Sequence, residues 1–343
     1  MIRRISAVLL TLCLLLVVAS CSQGGGLSSN PAMVMVGISM TGKDQSAGTG
    51  ETIQSTLEEA GHTVELAYAQ TSEEQNEQIA ALVKDGAAVL IISPVDTLEV
   101  EQMLSSGKTD VSDVAVIACG APIASDCVRA YVGPDLYDSA RQQANRVVQV
   151  LGLEQPGSGT YQGKASTVEL VAGNGAQRCI EGAMEVLQPY VDAGMIEMPS
   201  GADVESCHTL DAEGRIRELC QSTYAQREMD AVLCLGEGQA EQVVKGLMSS
   251  YSGAAFPVVT GYGCNEESVQ YLAAHLLSMV AYCEEQDPAE LTNKAVSAAN
   301  SANAEETGDT VIACKLVTAE NYKKLLVDTG LYKAHKGGTF TKN

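Results

Sequence analysis

From Met33 onward, short apolar runs alternate with stretches whose apolar residues recur every three or four positions. Val34 to Ser39, Thr63 to Tyr68, Ala87 to Ile92, Val114 to Ala118 and Val128 to Val132 read as strands. Ala87 to Ile92 is too uniformly apolar to alternate, as expected of a strand with helices on both sheet faces. Ser72-x-x-Gln75 has the spacing of a capping box and predicts a helix running to Lys84. Asp135 predicts another cap, for a helix whose Ala140, Ala144, Val147 and Leu151 share one face. After a Pro/Gly-rich loop from Gly152 to Gly163, strands resume at Val168 to Ala172, Ala231 to Leu235 and Pro257 to Thr260. Repeated β-α alternation implies an α/β fold of parallel sheets with right-handed crossovers, here in two sets.

Parallel sheets take ligands beyond the carboxyl ends of their strands. Three such ends carry Gly-x-Gly: Gly173-Asn174-Gly175, Gly236-Glu237-Gly238 and Gly261-Tyr262-Gly263. Glycine permits close backbone approach there, and the following helix offers free N–H groups. Asn174, Glu237 and Tyr262 can project into a cleft; equally, the glycines can serve turn geometry alone. None is a dinucleotide fingerprint, because Arg178, Glu241 and Glu266 stand where the third glycine belongs. Gly37 to Lys43 matches a phosphate loop until Asp44, which replaces the Ser or Thr that would ligate magnesium. No nucleophile elbow, zinc-protease helix or calcium loop occurs, and the four histidines are scattered. These absences predict a chain without a catalytic constellation, a metal site or a cofactor.

The terminus sets the compartment. Arg3 and Arg4 precede an apolar run from Ala7 to Val18. That run is too short to cross a bilayer, which needs about 20 residues, and has the layout of an export signal. Val18-Ala19-Ser20-Cys21 resembles the lipobox of bacterial lipoproteins, which implies a diacylated Cys21 after removal of residues 1–20. Residues 21–32 then form a tether, Gly-rich at Gly24 to Gly26.

Charge and cysteine narrow the partners. A net charge of −22 repels phosphate backbones and excludes electrostatic nucleic-acid binding. With no Trp and two Phe, any stacking surface falls to the 12 Tyr. The 11 Cys show no Cys-x-x-Cys motif. Cys220, Cys234 and Cys314 lie in apolar stretches and read as small hydrophobes, while Cys119 and Cys127 flank a loop and are spaced to pair.

Ile79 to Ile92 and Val36 to Met40 resemble the helix-to-strand passage and first strand of type 1 periplasmic binding proteins. Glu181 to Tyr190 and Asn321 to Tyr332 resemble the multiple-sugar and xylose receptors of bacterial ABC importers. The resemblance implies two similar Rossmann-like lobes joined by three chain crossings, near Tyr131 to Asp135, Thr260 to Cys264 and Asp309 to Lys315. The first lobe is then 33–132 plus 264–308, and the second 133–263 plus 309–343. It further implies a monomer that closes on a small polar ligand, a carbohydrate or related solute, and presents the closed form to a permease. A sensing or scaffold lipoprotein read by a signalling receptor is the alternative.

The pocket departs from such receptors. Cys119-Gly120-Ala121-Pro122 replaces the charged residues expected after the fourth strand, and Gly263 stands where an Asp is expected. The residues expected in the cleft are Lys43, Asp44, Gln45, Asp96, Asn174, Gln177, Arg178, Glu237, Tyr262, Asn265 and Tyr282. Lys43 and Arg178 would suit a carboxylate or phosphate on the ligand.

Overall fold

The computed structural model describes residues 33–42, 48–157, 161–283, 296 and 309–343. Lys43, Asp44, Gln45 and the expected lipidation site Cys21 lie outside the described residues. Two six-stranded sheets organise the rest. The first contains β1 (Met35–Thr41), β2 (Thr63–Ala69), β3 (Val89–Ile92), β4 (Ala115–Cys119), β5 (Val128–Pro134) and β11 (Thr310–Ile312). Its order is β11-β5-β4-β3-β1-β2, parallel throughout. Helices α1 (Thr49–Glu59), α2 (Ser72–Lys84) and α3 (Thr97–Ser105) join its strands.

The second sheet contains β6 (Ser166–Val171), β7 (Ile196–Glu197), β8 (Ala231–Glu237), β9 (Val258–Tyr262), β10 (Met279–Cys283) and β12 (Cys314–Thr318). Its order is β12-β10-β9-β8-β6-β7, and only β12 runs antiparallel, against β10. The long helices of this lobe are α4 (Leu136–Val150) and α5 (Ala176–Asp192). The others are α6 (Val204–Cys207), α7 (Ala212–Gln221), α8 (Gln239–Ser250) and α9 (Glu266–Ala273). A hairpin of β13 (Tyr332–Ala334) and β14 (Phe340–Lys342) ends the chain. The α/β architecture of two Rossmann-like lobes agrees with the alternation in the sequence.

Each sheet is buried on both faces, which explains the unbroken apolar runs. All four residues of β3 are buried. Val168, Leu170 and Ala172 pack under α4 and α5, while Val171, Val232 and Cys234 pack under α7 and α8. Gly182 is what lets α5 lie against α4, because a Cβ there would stand 2.1 Å from the Tyr137 carbonyl oxygen.

Several expectations need correction. Ser72 does not cap α2: Thr71 does, its Oγ1 accepting from the Glu74 amide at 3.2 Å. Gln75 is not the partner in a capping box but a fully buried side chain with other duties. Asp135 caps α4 as expected, accepting from the Asp138 amide at 3.0 Å.

The lobe boundaries shift as well. The chain passes from the first sheet to the second between β5 and α4, and again between β11 and β12. The second crossing does not fall at Thr260 to Cys264, because α9 and β10 continue the second lobe and β10 pairs with β9. The chain leaves that lobe only after Cys283, and Val296 is already buried in the first lobe's core beside Val36 and Ile38. β11, placed with the second lobe by the sequence, pairs instead with β5 of the first.

The cysteines also resolve differently. Cys283 and Cys314 face each other across the β10–β12 pair and form a disulfide. Cys119 and Cys127 are not bridged to each other, and Cys314 is not the isolated hydrophobe its neighbours suggested. Cys220 and Cys234 are free and buried.

Candidate functional site: the seam between the lobes

The carboxyl ends of both sheets meet at a seam, and the seam is built from braced loops. Behind β3, the buried Gln75 donates through Nε2 to Ser39 Oγ at 3.3 Å and to the Ser93 carbonyl at 3.0 Å. Its Oε1 accepts from the Val95 amide at 2.8 Å. One amide side chain thus fixes the loop from Ser93 to Thr97. Gln239 does the same in the second lobe, accepting from the Gly236 amide at 2.9 Å and donating to the Thr209 carbonyl at 2.9 Å.

The two braced loops meet through Asn174. Its Oδ1 accepts from the Thr97 amide at 3.0 Å, and its Nδ2 donates to the carbonyls of Pro94 at 3.1 Å and Val95 at 3.2 Å. The Gly175 amide adds a bond to Thr97 Oγ1 at 3.3 Å. Gly175 needs to be glycine twice over. Its φ of 74° is left-handed, and a Cβ there would press on Leu136 and on Pro122 of the opposite lobe. Beside this contact, His208 Nε2 stands 3.7 Å from Asp96 Oδ1 across the seam. Asp96 also caps α3, accepting from the Leu98 amide at 2.9 Å.

Toward the hinge the seam turns apolar and aromatic. Tyr131 bonds through its hydroxyl with the Pro134 carbonyl at 2.9 Å, and its amide donates to Asp309 Oδ1 at 3.0 Å. Burial pushes the Tyr131 and Tyr262 phenols far up, so both stay neutral. Glu237, at the end of β8, keeps an exposed surface yet is closely surrounded at the seam; that crowding first and then the nearby Glu241 push its carboxyl up, with Lys342 opposing. A cavity of about 520 Å³ opens at the second-lobe end of the seam, lined by Asp203, Glu205, Ser206, His208, Thr209 and Arg215.

The expected site residues therefore scatter. Asp96 and Asn174 sit in the seam, where Asn174 bonds the other lobe. Glu237 and Tyr262 end paired strands facing it. Gln177 and Arg178 are exposed on α5: Gln177 donates to Glu181 at 2.7 Å, and Arg178 stacks over Tyr137 and pairs with Glu181 at 3.8 Å. Asn265 caps α9, its Oδ1 accepting from the Ser268 amide at 2.9 Å. Tyr282 is buried in the second-lobe core. The sequence reading missed Gln75, Thr97 and His208. Buried amides carry no periodic signature, and only the junction of two lobes gives Thr97 a partner.

Two largely parallel sheets, the chain crossings between them and a seam of strand-end loops define a two-lobed solute-binding protein. Residues 36–306 match the Periplasmic binding protein domain, and the chain belongs to that family, in its type 1 branch. The multiple sugar-binding periplasmic receptor ChvE of Rhizobium radiobacter is 29% identical over 329 residues, spanning 87% of this chain and 91% of the relative. The multiple sugar-binding periplasmic protein SbpA of Azospirillum brasilense is 28% identical, spanning 89% and 92%. Among solved structures, an ABC transporter solute-binding protein of Clostridium phytofermentans with bound β-D-glucose is similar at a TM-score of 0.68. It is 28% identical and covers 87% of this chain and 98% of its own.

Proposed function

We propose that this chain captures a carbohydrate or closely related solute between its lobes and delivers it to an ABC importer, held at the extracytoplasmic face by lipid on Cys21. The observation that carries this reading is end-to-end similarity to sugar receptors together with loops from both lobes converging on one seam. Ligand enters when the lobes part, meeting Asp96, Asn174, Glu237 and Tyr262, with Lys43, Asp44 and Gln45 supplied by the first strand's loop. Closure then stabilises the bound form, because only the closed arrangement offers both halves of the site.

Thermal shift with glucose, arabinose and myo-inositol, set beside carboxylate and phosphate solutes, tests the ligand class. A true ligand present at 100 times its Kd stabilises by about 2.7 kcal/mol. Stabilisation by the anionic solutes with none by the sugars would overturn the carbohydrate assignment. Mass spectrometry of the membrane-extracted protein tests the anchor, which predicts a diacylglyceryl group on Cys21.

A further inference from the structure

The last 29 residues invert the charge of the molecule. Residues 315–343 hold six lysines against Glu320 and Asp328, in a chain whose net charge is −22. No arginine occurs among them. The structure gathers four of these lysines on adjoining surface segments. Lys333 and Lys336 are exposed on the β13–β14 hairpin, and Lys323 and Lys324 are exposed on the helical turn before it.

The platform beneath them is rigid. Tyr332 and Phe340 are buried under the hairpin, with Tyr332 donating to the Cys264 carbonyl at 2.8 Å. Phe340 meets Tyr322 edge to face at 6.0 Å, which ties the turn to the hairpin. Elsewhere, Arg141, Arg146, Arg178, Arg215, Arg217, Arg227 and Lys245 each pair with a carboxylate. Among the described residues, no carboxylate lies within ion-pair distance of Lys323, Lys324, Lys333 or Lys336.

We propose that this lysine surface docks the second lobe onto an anionic lipid bilayer. Its chemistry favours a bilayer over a protein partner. Protein interfaces are enriched in arginine and aromatic anchors and depleted in lysine, whereas this patch is all lysine with its aromatics buried. Lysines on a firm platform instead match the diffuse negative charge of lipid headgroups, within the short reach that salt allows. The proposal takes its setting from the lipid-anchored reading, since a tethered protein meets the bilayer continually, but the attraction does not require the anchor.

The test uses a lipid-free chain beginning at Ser22, since the folded unit starts at Met33. Sedimentation with vesicles of phosphatidylglycerol mixed equally with phosphatidylcholine should carry the protein down, and high salt should release it. Pure phosphatidylcholine vesicles should not bind it. Combining Lys324→Gln, Lys333→Gln and Lys336→Gln should weaken binding at least about tenfold. Combining Lys84→Gln, Lys108→Gln and Lys164→Gln, an equal change of charge at exposed sites elsewhere, should leave binding intact. Matching melting temperatures confirm that both variants fold. Equal losses in the two variants, or equal binding to both vesicles, would overturn the proposal. So would salt-sensitive self-association that needs the hairpin lysines in place of vesicle binding, which would assign the patch to the acidic body of a second copy. Failure of the anchor would show separately, as an unmodified Cys21.

Discussion

Asn174 of the second lobe and Thr97 of the first are joined at 3.0 Å, side-chain oxygen to backbone amide, and the same side chain also holds the carbonyls of Pro94 and Val95. Three backbone groups of one lobe thus depend on a single residue of the other. Asn174→Ala should favour the open form by about 1–3 kcal/mol, the worth of the lost bonds. Asn174→Asp should open it further, because its carboxylate faces two carbonyls. Small-angle scattering of the ligand-free protein reads the change as a larger radius of gyration. An unchanged radius in both variants would remove Asn174 from any role in closure.

Gln75 supports that contact from inside the first lobe. Gln75→Leu fills the same space but strands the Ser93 carbonyl and the Val95 amide and leaves Ser39 Oγ with only its bond to Gln78. Stability should fall by about 1–3 kcal/mol, measured by urea unfolding followed by circular dichroism. The radius of gyration should also rise, as the loop presented to Asn174 loosens. A stability loss with no opening would confine Gln75 to core packing.

Glu169 gives the protein a pH signature. Its carboxylate accepts from the Tyr224 hydroxyl at 2.6 Å, and burial pushes its pKa up despite that bond. The folded state therefore keeps this proton over a window above the ordinary carboxylate range, where the unfolded chain has lost it. Stability falls as pH rises through that window, and the penalty is complete above the folded pKa. Glu169→Gln keeps an acceptor for Tyr224 and removes the charge. It should be more stable than the parent at neutral pH, by up to about 3 kcal/mol, and similar to it in acid. A variant that tracks the parent across pH would show that the carboxyl pays no burial penalty.

The Cys283–Cys314 bridge, with a sequence separation of 31, constrains the unfolded chain. Cys283→Ser should cost about 3–4 kcal/mol by loop entropy. Peptide mapping without reduction should recover Cys283 and Cys314 linked, and no link between Cys119 and Cys127. A Cys119–Cys127 link would contradict the structure.

The strands were legible because each is buried on both faces, and β3 shows this in four consecutive apolar residues. Gly-x-Gly marked the right turns: Gly175, Gly238 and Gly263 all have positive φ. What the residues between them do was less legible. Asn174 reads as a ligand donor, and no local pattern announces that Pro94, Val95 and Thr97 are brought opposite it. Arg178 has one partner that spacing shows, Glu181 three residues on along α5, and one that it does not, Tyr137 on the neighbouring helix. The misplaced second crossing has a topological cause. Residues 264–283 look like any β-α unit, and only the pairing of β10 with β9 assigns them to a lobe.

The disulfide closes residues 283–314 into a covalent ring whose clasp lies in one lobe and whose Val296 and β11 sit in the other. A backbone cut inside that ring would free neither end of the chain, because both flanks remain joined at the clasp. Mechanically the lobes are then linked by one open strand of chain, between β5 and α4, and by one ring.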